Sequence, residues 1–360
     1  MEIEYRLNKR ETPPVLPQQL GFGKYFTEHF FEMDYSDEKG WHNAVIKPLG
    51  NMEIHPAAMI FHYGQTLFEG LKAYHTVNNE IVLFRPEKNI ERLNNSARRI
   101  CMPEVNPADA LQAIHELVAV EKDWVPKNLE DSLYIRPFMI ADEPAFGVRP
   151  SSTYKFIVML SPVGPYYPEG FKPVKILVQD EYVRAVRKGL GECKTAANYA
   201  ASLLGVELAK KEGYTQVLWL DAVELKYVEE VGTMNIFVRF NDEIVTPKLT
   251  GGILPGITRN SVLKILRDKS LKVSERLLSL NEVVDRYKAG EVLGIFGTGT
   301  AAVISSVSHL RFKDMEMVIN NGEPDDLAVE LMEEISGIQR CRLEDKYGWI
   351  SKLMPVAQEA

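Results

Sequence analysis

Cysteine is scarce in this sequence: the 360 residues contain only Cys101, Cys193 and Cys341, and no two of them form a CxxC pair. An odd and widely spaced set of thiols supports neither a disulfide framework nor a thiolate zinc site. His62 and His75 also lack metal-ligand spacing with other histidine, cysteine or acidic residues, so we predict no metal site. So few cysteines fit a reducing compartment.

Long apolar runs and an excess of positive charge are missing as well. No apolar run is long enough to cross a bilayer, and the N-terminal stretch lacks the apolar segment of a secretion signal. The formal net charge is -8, whereas a nucleic-acid-binding surface must be basic in order to neutralise phosphates. We therefore expect a cytoplasmic protein that binds neither membranes nor nucleic acids.

What remains is the composition of an ordinary globular protein, with 45% hydrophobic and 26% charged residues. The length suits one large or two medium domains. The stretch 161–170 holds three prolines and two glycines and is the best candidate for a linker. We predict an N-terminal arm over residues 1–20, a small domain over 21–165, an interdomain linker over 166–173 and a large domain over 174–360.

Hydrophobic periodicity and turn residues predict the helices and strands. A helix is predicted to begin at Pro86, and further helices over 107–125, 195–212, 257–269 and 281–289. Strands are predicted over 71–76, 80–84, 133–140, 154–160, 174–178, 217–220, 235–240 and 243–246, and residues 294–300 form a short apolar run that ends in a glycine loop. Because hairpins and helices are mixed along the chain, the pattern favours an α+β or mixed α/β fold over a regular βαβ alternation.

Lys194 lies at the entry to the helix predicted over 195–212, in the segment GECKTAANYA that begins at Gly191. The positive end of a helix dipole disfavours an ammonium group, and burial acts in the same direction. Such an environment favours the neutral amine that Schiff-base chemistry requires. Taken alone, a lysine near a helix start is ordinarily solvated.

Two adjacent carboxylates, Glu229 and Glu230, precede the apolar strand predicted over 235–240. A carboxylate that is buried there needs a cationic partner, and a protonated pyridine nitrogen would serve. The alternative is a pair of carboxylates that face solvent at a strand edge.

Two glycine-containing segments could bind an anion. In LPGITR, at 254–259, a glycine turn opens a helix whose first N–H groups could hold a phosphate. In FGTGTAA, at 296–302, two glycines let backbone N–H groups converge. Neither segment matches a P-loop or a Rossmann motif, and each alone could be an ordinary turn. Together with an activated lysine they suggest a phosphorylated aldehyde cofactor.

Arg92 is a candidate phosphate ligand that periodicity does not favour. Ile90, Leu93 and Ala97 define the apolar face of its helix, and Arg92 points roughly the other way. From the pattern alone, Arg92 is predicted to be solvated. The aromatic stretches 61–63 and 67–70 could line an apolar pocket, but filling a core is the default interpretation.

These motifs resemble the branched-chain amino acid aminotransferase family, in the fold-type IV group of pyridoxal 5'-phosphate (PLP) enzymes. The resemblance covers about residues 23–312, and the motifs GxxKxxxNYA, EVGTMN, LPGITR and GTGTA occur in the family's order. It implies a smaller N-terminal domain and a larger, β-barrel-like, PLP-binding C-terminal domain. The implied reaction moves the amino group of L-leucine, L-isoleucine or L-valine to 2-oxoglutarate, which gives a branched 2-oxo acid and L-glutamate.

The resemblance also implies roles for individual residues. Lys194 would form the Schiff base with PLP, Tyr199 would hydrogen-bond its phenolic oxygen, and Glu230 would pair with its pyridine nitrogen. The implied phosphate ligands are Arg92, Ile257, Thr258 and Thr300. This assignment overrides the solvated interpretation of Arg92.

The implied substrate residues form three groups. The carboxylate of the substrate would be bound at Thr233, Ala301 and Ala302. The side-chain pocket would be lined by Phe68, Tyr134, Tyr166 and Met234. Arg136 matches the arginine that is linked to the second carboxylate of glutamate, and Tyr63 and Val148 match residues that reach across from the other subunit of a homodimer.

One departure and two alternatives stay open. Mammalian members of the family carry a redox CxxC just after the glycine loop, where this sequence has Ala302 and Ser305, so redox control of that kind is not expected. D-amino acid transaminases and aminodeoxychorismate lyases share the fold type, but they usually lack the long arm and the stretches around Tyr63 and Phe68. A non-catalytic phosphometabolite-binding protein would have the glycine loops without a Schiff base.

Overall fold

The structure, a computed structural model, describes residues 1–10, 12–165 and 171–354. The chain forms two compact units. The first contains the described residues of Met1–Tyr166, Cys193–Ala196 and Gly337–Ala360, and the second contains those of Tyr167–Glu192 and Ala197–Ser336. The predicted domain boundaries stay a prediction. The observed units differ from them in that the residues around Lys194 and the C-terminal segment belong to the first unit.

Strands and helices are mixed along the described residues. The strands are β1 (Glu4–Tyr5), β2 (His29–Ser36), β3 (Gly40–Pro48), β4 (Thr66–Phe68), β5 (Leu71–His75), β6 (Ile81–Phe84), β7 (Ser132–Ala141), β8 (Thr153–Val163), β9 (Val174–Gln179), β10 (Gln216–Leu220), β11 (Val228–Val231), β12 (Met234–Phe240), β13 (Ile244–Pro247), β14 (Val273–Arg276), β15 (Val292–Gly299), β16 (Val303–Phe312), β17 (Met315–Val318) and β18 (Ile350–Lys352). The α-helices are α1 (Met59–Tyr63), α2 (Pro86–Arg99), α3 (Pro107–Val120), α4 (Ala196–Lys211), α5 (Ile257–Asp268), α6 (Leu280–Lys288) and α7 (Asp326–Gln339). In this part of the chain, no helix combines the length and apolar character that a membrane span needs.

Two predicted elements end elsewhere than expected. The helix predicted over 107–125 ends at Val120 and is followed by a 3-10 turn over Lys122–Trp124. Glu121 is the C-cap residue of α3, and its buried carboxylate accepts a hydrogen bond from the backbone nitrogen of His29 at 2.7 Å. Residues 161–163 of the predicted linker stretch continue β8, and residues 166–170 lie outside the described residues.

The first unit is built on a nine-stranded sheet in the order β1-β3-β2-β8-β7-β5-β6-β18, with β4 also paired to β7. All pairs are antiparallel except β1 with β3. Helices α2 and α3 pack on the sheet, and Ile90, Leu93 and Ala97 of α2 are fully buried in the shared core, as the periodicity predicts.

The N-terminal residues are part of this first unit. β1 extends the sheet at β3, and the terminal amino group of Met1 donates to Asp109 Oδ1 at 3.0 Å. The segment that the sequence predicts as an extended arm over 1–20 therefore begins with a short strand of the sheet.

The second unit is a closed β-barrel. β9, β10, β11, β12, β15 and β16 pair in that order, and β16 pairs with β9 to close the ring. The interior is packed with branched side chains such as Ile236, Val238 and Ile295, which are almost fully buried. The predicted α+β fold with a barrel-like domain is confirmed.

Two loops lie at the same end of this barrel. Residues 232–233 join β11 to β12, and residues 300–302 join β15 to β16. Asn235, near the start of β12, pairs with Thr298, near the end of β15. In an antiparallel pair, one strand starts at the edge where its neighbour ends. The loop before β12 and the loop after β15 are therefore neighbours.

Candidate active site

Lys194 is held by its main chain within the first unit. Its backbone nitrogen donates to Ser96 Oγ at 3.0 Å, and its carbonyl accepts from the backbone nitrogen of Phe68 at 3.0 Å. The next residue, Thr195, forms a β-bridge with Leu67. The Lys194 side chain is half-buried, and Nζ lies 5.0 Å from the centroid of the Phe68 ring. This fixed backbone gives the amine a defined position beside β4, two residues before α4.

Arg92 is buried and ion-paired, so the solvated interpretation of its side chain is wrong. Its Nε and Nη2 donate to the two carboxylate oxygens of Glu69 at 2.7 and 2.9 Å. Asn89, Arg92 and Ser96 stand at i, i+3 and i+7 on α2 and are all buried. They form a polar stripe beside the apolar face, so α2 is buried over more of its circumference than its apolar residues indicate.

Glu69 is fully buried in the same cluster. Burial opposes its ionisation, but the charge and hydrogen bonds of Arg92 and the charge of Lys194 outweigh that effect, so the pKa of Glu69 is lowered. Asn89 Nδ2 adds a hydrogen bond to the carboxylate at 2.8 Å. The cluster therefore contains a buried negative charge that contacts Arg92 and is influenced by the charge of Lys194.

An aromatic and cationic surface adjoins Lys194. The guanidinium carbon of Arg136 lies 4.6 Å from the Phe68 ring centroid and 5.2 Å from that of Tyr134, and Arg136 Nη2 donates to the Tyr134 hydroxyl at 3.1 Å. Arg136 Nε is buried, and no hydrogen-bond acceptor for it is present among the described residues. Apolar rings with an incompletely satisfied arginine suit a ligand that is sometimes apolar and sometimes anionic.

Two residues assigned by the resemblance, Tyr63 and Val148, lie on a surface of the first unit. Tyr63 lies on α1 and donates from its hydroxyl to the carbonyl of Phe146 at 2.6 Å. Phe146 and Val148 are 71% and 88% exposed, so they and Tyr63 belong to an apolar surface patch. Tyr166 lies outside the described residues.

Glu230 is buried in the second unit, on β11. Arg184 Nη2 forms an ion pair with Oε2 of Glu230, and Asn235 Nδ2 donates to Oε1 at 3.2 Å. Glu229 is also buried, so the solvent-facing interpretation of both carboxylates is wrong. Glu230 lines one small cavity together with Arg184, Asn198, Tyr199, Ser202, Thr233 and Leu254.

The helix start predicted at the LPGITR segment is present, and the anion site there stays a prediction. α5 begins at Ile257, and its N-cap residue is Gly256, which has no side chain to cap the helix. A Cβ at Gly256 would overlap Oδ1 of Asn235, so only glycine allows this approach. Asn235 also donates to the carbonyl of Leu254 at 2.8 Å. The start of α5 is thus tied to the residue that contacts Glu230.

The glycine loop of the second unit lies at the same barrel end. Thr300, Ala301 and Ala302 form the turn between β15 and β16 and are half-buried. Met234 is buried and packs against Gly297. The hydroxyl of Thr298, next to the turn, is buried and has no partner among the described residues.

The donor set of each unit fits part of a phosphorylated pyridine cofactor. The second unit supplies a buried carboxylate for a protonated ring nitrogen, and a helix start at a glycine with nearby hydroxyls for a phosphate. The first unit supplies an amine and a buried arginine. Sequence reasoning missed Glu69, Arg184 and Asn235 as site residues. Asn235 stands inside a recognised motif, whereas Arg184 lies in a segment without any motif.

Comparison with known proteins matches this chain to a family and to solved structures. The family model for amino-transferase class IV matches residues 66–310. The chain is 50% identical to branched-chain-amino-acid aminotransferase 2 of Bacillus subtilis (strain 168), over 99% of this chain and 98% of that protein.

Two solved structures share the fold. The branched-chain amino acid aminotransferase of Escherichia coli superposes with a TM-score of 0.77 at 24% identity, over 91% of this chain and all of that one. The branched-chain amino acid aminotransferase of Thermobaculum terrenum, in its PLP form, has a TM-score of 0.74 at 23% identity, over 91% of this chain and 99% of that one.

Proposed function

This chain belongs to the class IV aminotransferase family, and we propose that it acts as a branched-chain amino acid aminotransferase. It moves the amino group of L-leucine, L-isoleucine or L-valine to 2-oxoglutarate, and PLP is its cofactor. The observation that carries the proposal is the fixed backbone of Lys194, whose amine lies 5.0 Å from the centroid of the Phe68 ring and whose charge lowers the pKa of Glu69.

The cofactor supplies the groups that react with the substrate, and residues of the chain bind the cofactor and move the proton. When bound, PLP supplies an aldehyde that condenses with an amine and a ring that accepts the electrons released at the substrate Cα. Lys194 is the base in this proposal. Its amine takes the proton from the substrate Cα, holds it, and gives it up again as the amino group leaves the substrate. The Glu230 carboxylate keeps a proton on the ring nitrogen.

Cofactor anchoring is assigned residue by residue, from the motif positions. Arg92 contributes charge to the phosphate, with the backbone N–H groups of Ile257 and Thr258 and the hydroxyl groups of Thr258 and Thr300 as hydrogen-bond donors. The Tyr199 hydroxyl serves the phenolic oxygen of the ring. These assignments rest on the motif positions and on the start of α5 at Gly256.

Substrate selection is assigned to the surface around Arg136. By their motif positions, Phe68, Tyr134 and Met234 are each assigned to the branched side chain of the substrate, and Arg136 is assigned to the second carboxylate of glutamate. Tyr166 lies outside the described residues and is assigned to the branched side chain by its motif position alone. Thr233, Ala301 and Ala302, on neighbouring loops of the barrel, bind the common α-carboxylate.

We further propose a homodimer in which Tyr63 and Val148 contribute to the partner's active site. The support is the exposed apolar patch that contains both residues. A cytoplasmic location is proposed from the scarcity of cysteine, which fits a reducing compartment.

The testing experiment is an amino-donor panel with 2-oxoglutarate, in which formation of L-glutamate is followed. L-leucine, L-isoleucine and L-valine should be good donors, and D-alanine should be poor. Lys194→Ala should lower turnover by at least about a hundredfold. In the unaltered protein, borohydride should bleach the visible band of PLP and leave a mass adduct on the Lys194 peptide. Full turnover by the alanine variant would remove Lys194 from its role, and D-alanine activity alone would favour a D-amino acid transaminase.

A further inference from the structure

Arg184 is a buried arginine of the second unit that the roles above do not use. It stands between β9 and Lys194 along the chain and is 9% exposed. Its Nη2 donates to the carbonyl of Gly252 at 2.7 Å and to that of Gly191 at 3.3 Å, and it contacts the carboxylate of Glu230. One side-chain nitrogen thus meets acceptors on three separate segments.

Each of these segments leads to a residue of the proposed machinery. Gly191 precedes Lys194 by three residues, and Gly252 precedes Ile257, the first residue of α5, by five. Glu230 is the proposed partner of the ring nitrogen. A Cβ at Gly191 would overlap the backbone of Gly252. The two loops therefore touch, and the guanidinium of Arg184 binds both at that contact.

We infer that Arg184 is a positioning residue for the cofactor: its guanidinium keeps the Glu230 carboxylate ionised and oriented, and it ties the Gly191 and Gly252 loops together. This inference rests on the proposed function, since it requires that Glu230 face the pyridine nitrogen. Arg184 touches neither substrate nor reacting atoms in this scheme. It acts through the carboxylate.

The charges around Arg184 support that role. Glu229 and Glu230 are adjacent buried carboxyls, and Arg184 is the cation in contact with Glu230. Burial raises the pKa of Glu229 to about 7, the charge of Arg184 opposes the rise, and the charges of Glu230 and Asp221 add to it, while Arg187 opposes it weakly. Removing Arg184 would take away the cation that contacts Glu230 beside a second buried carboxyl, which disfavours ionisation of both.

The consequence concerns a single proton. Arg184 contacts the Glu230 carboxylate directly, so its charge would lower the proton affinity of that carboxylate more than that of a ring nitrogen paired with Glu230. The shared proton then stays on the nitrogen. When the guanidinium is removed, the proton shifts toward Glu230 and the ring loses its positive charge.

The experiment uses PLP labelled with 15N at the pyridine nitrogen and loaded into purified full-length variants. Arg184→Met removes the charge at similar volume, and Arg184→Lys retains it. Glu230→Gln tests the carboxylate itself. Arg239→Gln is the matched control, because it removes an ion pair with Asp325 near the other end of β12. Nitrogen chemical shift, PLP affinity and the melting temperature of the cofactor-free protein are measured for each.

The unaltered protein, Arg184→Lys and Arg239→Gln should show the shift of a protonated nitrogen. Arg184→Met should move toward the unprotonated shift and bind PLP about ten- to a hundredfold more weakly, the range for a lost hydrogen bond to a charged group. A merely structural arginine would lower the melting temperature and leave the nitrogen shift in place. Arg184→Gln supplies the same readout if the methionine variant does not fold.

The outcomes separate this inference from the proposed function. A protonated nitrogen and unchanged PLP affinity in Arg184→Met overturn the role of Arg184 when Glu230→Gln does shift the resonance. If Glu230→Gln leaves the nitrogen shift unchanged, the assignment of Glu230 fails, and the inference falls with it. If the unaltered protein formed no L-glutamate from L-leucine, L-isoleucine or L-valine with 2-oxoglutarate, that result would instead contradict the proposed reaction.

Discussion

At the residue scale, the buried carboxylate of Glu69 compensates the buried charge of Arg92. Both carboxylate oxygens of Glu69 are used by the guanidinium, and the side chain has no exposed surface. Removing one partner of such a pair leaves an uncompensated buried charge. The free-energy cost of that charge is larger than the net stabilisation that the intact pair provides. The position of Arg92 therefore depends on Glu69.

Glu69→Gln should lower the free energy of unfolding by about 3–5 kcal/mol, because Arg92 would remain charged and buried. Urea unfolding of the cofactor-free protein measures the change. Glu104→Gln is the control, since Glu104 forms a similar bidentate pair with Arg98 on the surface and should show no measurable loss. Equal losses in the two variants would mean that burial does not determine the strength of the Glu69 pair.

Glu229 predicts a pH dependence of stability. Its pKa is raised to about 7 in the folded protein, above the value of about 4.3 in an unfolded chain. The folded state therefore holds a proton that the unfolded state has lost. The stability contributed by the neutral carboxyl is present below about pH 4 and is lost as the pH rises to about 7.

Glu229→Gln should remove this dependence. The variant should be more stable than the unaltered protein at pH 8, by up to about 3 kcal/mol, and the difference should vanish toward pH 4. Chemical unfolding across pH 4 to 8 measures both curves. A difference that grows as the pH falls would reverse the sign and contradict the raised pKa.

At the element scale, α2 connects the apolar core to the candidate site. One face carries Ile90, Leu93 and Ala97 into the core, and the adjacent stripe of Asn89, Arg92 and Ser96 faces Glu69 and the Lys194 segment. The same helix thus sets the position of the arginine and, through Ser96, of the lysine backbone.

Ser96→Ala should loosen the segment before α4. The lost hydrogen bond to the Lys194 backbone nitrogen should cost about 1 kcal/mol of stability and lower kcat more than it alters KM for L-leucine. Urea unfolding and steady-state kinetics measure the two effects. In the control, Ser336→Ala, the hydroxyl bonds only to Met332 and Glu333 in its own helix α7, so kinetics should be unchanged. A kinetic change of the same size in the control would remove the special role of Ser96.

At the scale of the whole molecule, each compact unit contributes a different kind of chemistry. The sheet unit holds the amine and an aromatic surface, and the barrel unit holds the buried carboxylate and the glycine loops. The sheet unit also exposes the patch of Tyr63, Phe146 and Val148, which a monomer would leave in water.

Val148→Asp should weaken the proposed dimer, because a charge would enter an apolar interface. Light scattering after gel filtration should give the mass of two chains for the unaltered protein and a shift toward one chain for the variant. Val77→Asp is the matched control, since Val77 is 51% exposed in the turn between β5 and β6 of the same unit. A monomeric unaltered protein would contradict the proposal directly.

The sequence by itself determined most of the local structure and the chemistry-bearing segments. Nearly all the predicted strands and helices were found within two residues of their expected ends, because alternation, helical periodicity and glycine or proline signals are local properties. The motifs around Lys194, Glu230 and Gly256 were recognisable because their chemistry is carried by neighbouring residues.

Only the tertiary structure decided which polar residues are buried together. Periodicity placed Arg92 in solvent because it registers apolar side chains, whereas the burial of Arg92 depends on Glu69, which is 23 residues away in the chain. Arg184 likewise obtains its role from Gly252, which is 68 residues away, and from Glu230. Pairing between distant charges and the closure of the barrel arise from long-range contacts that no local pattern encodes, and for this reason the folded chain was needed to reveal them.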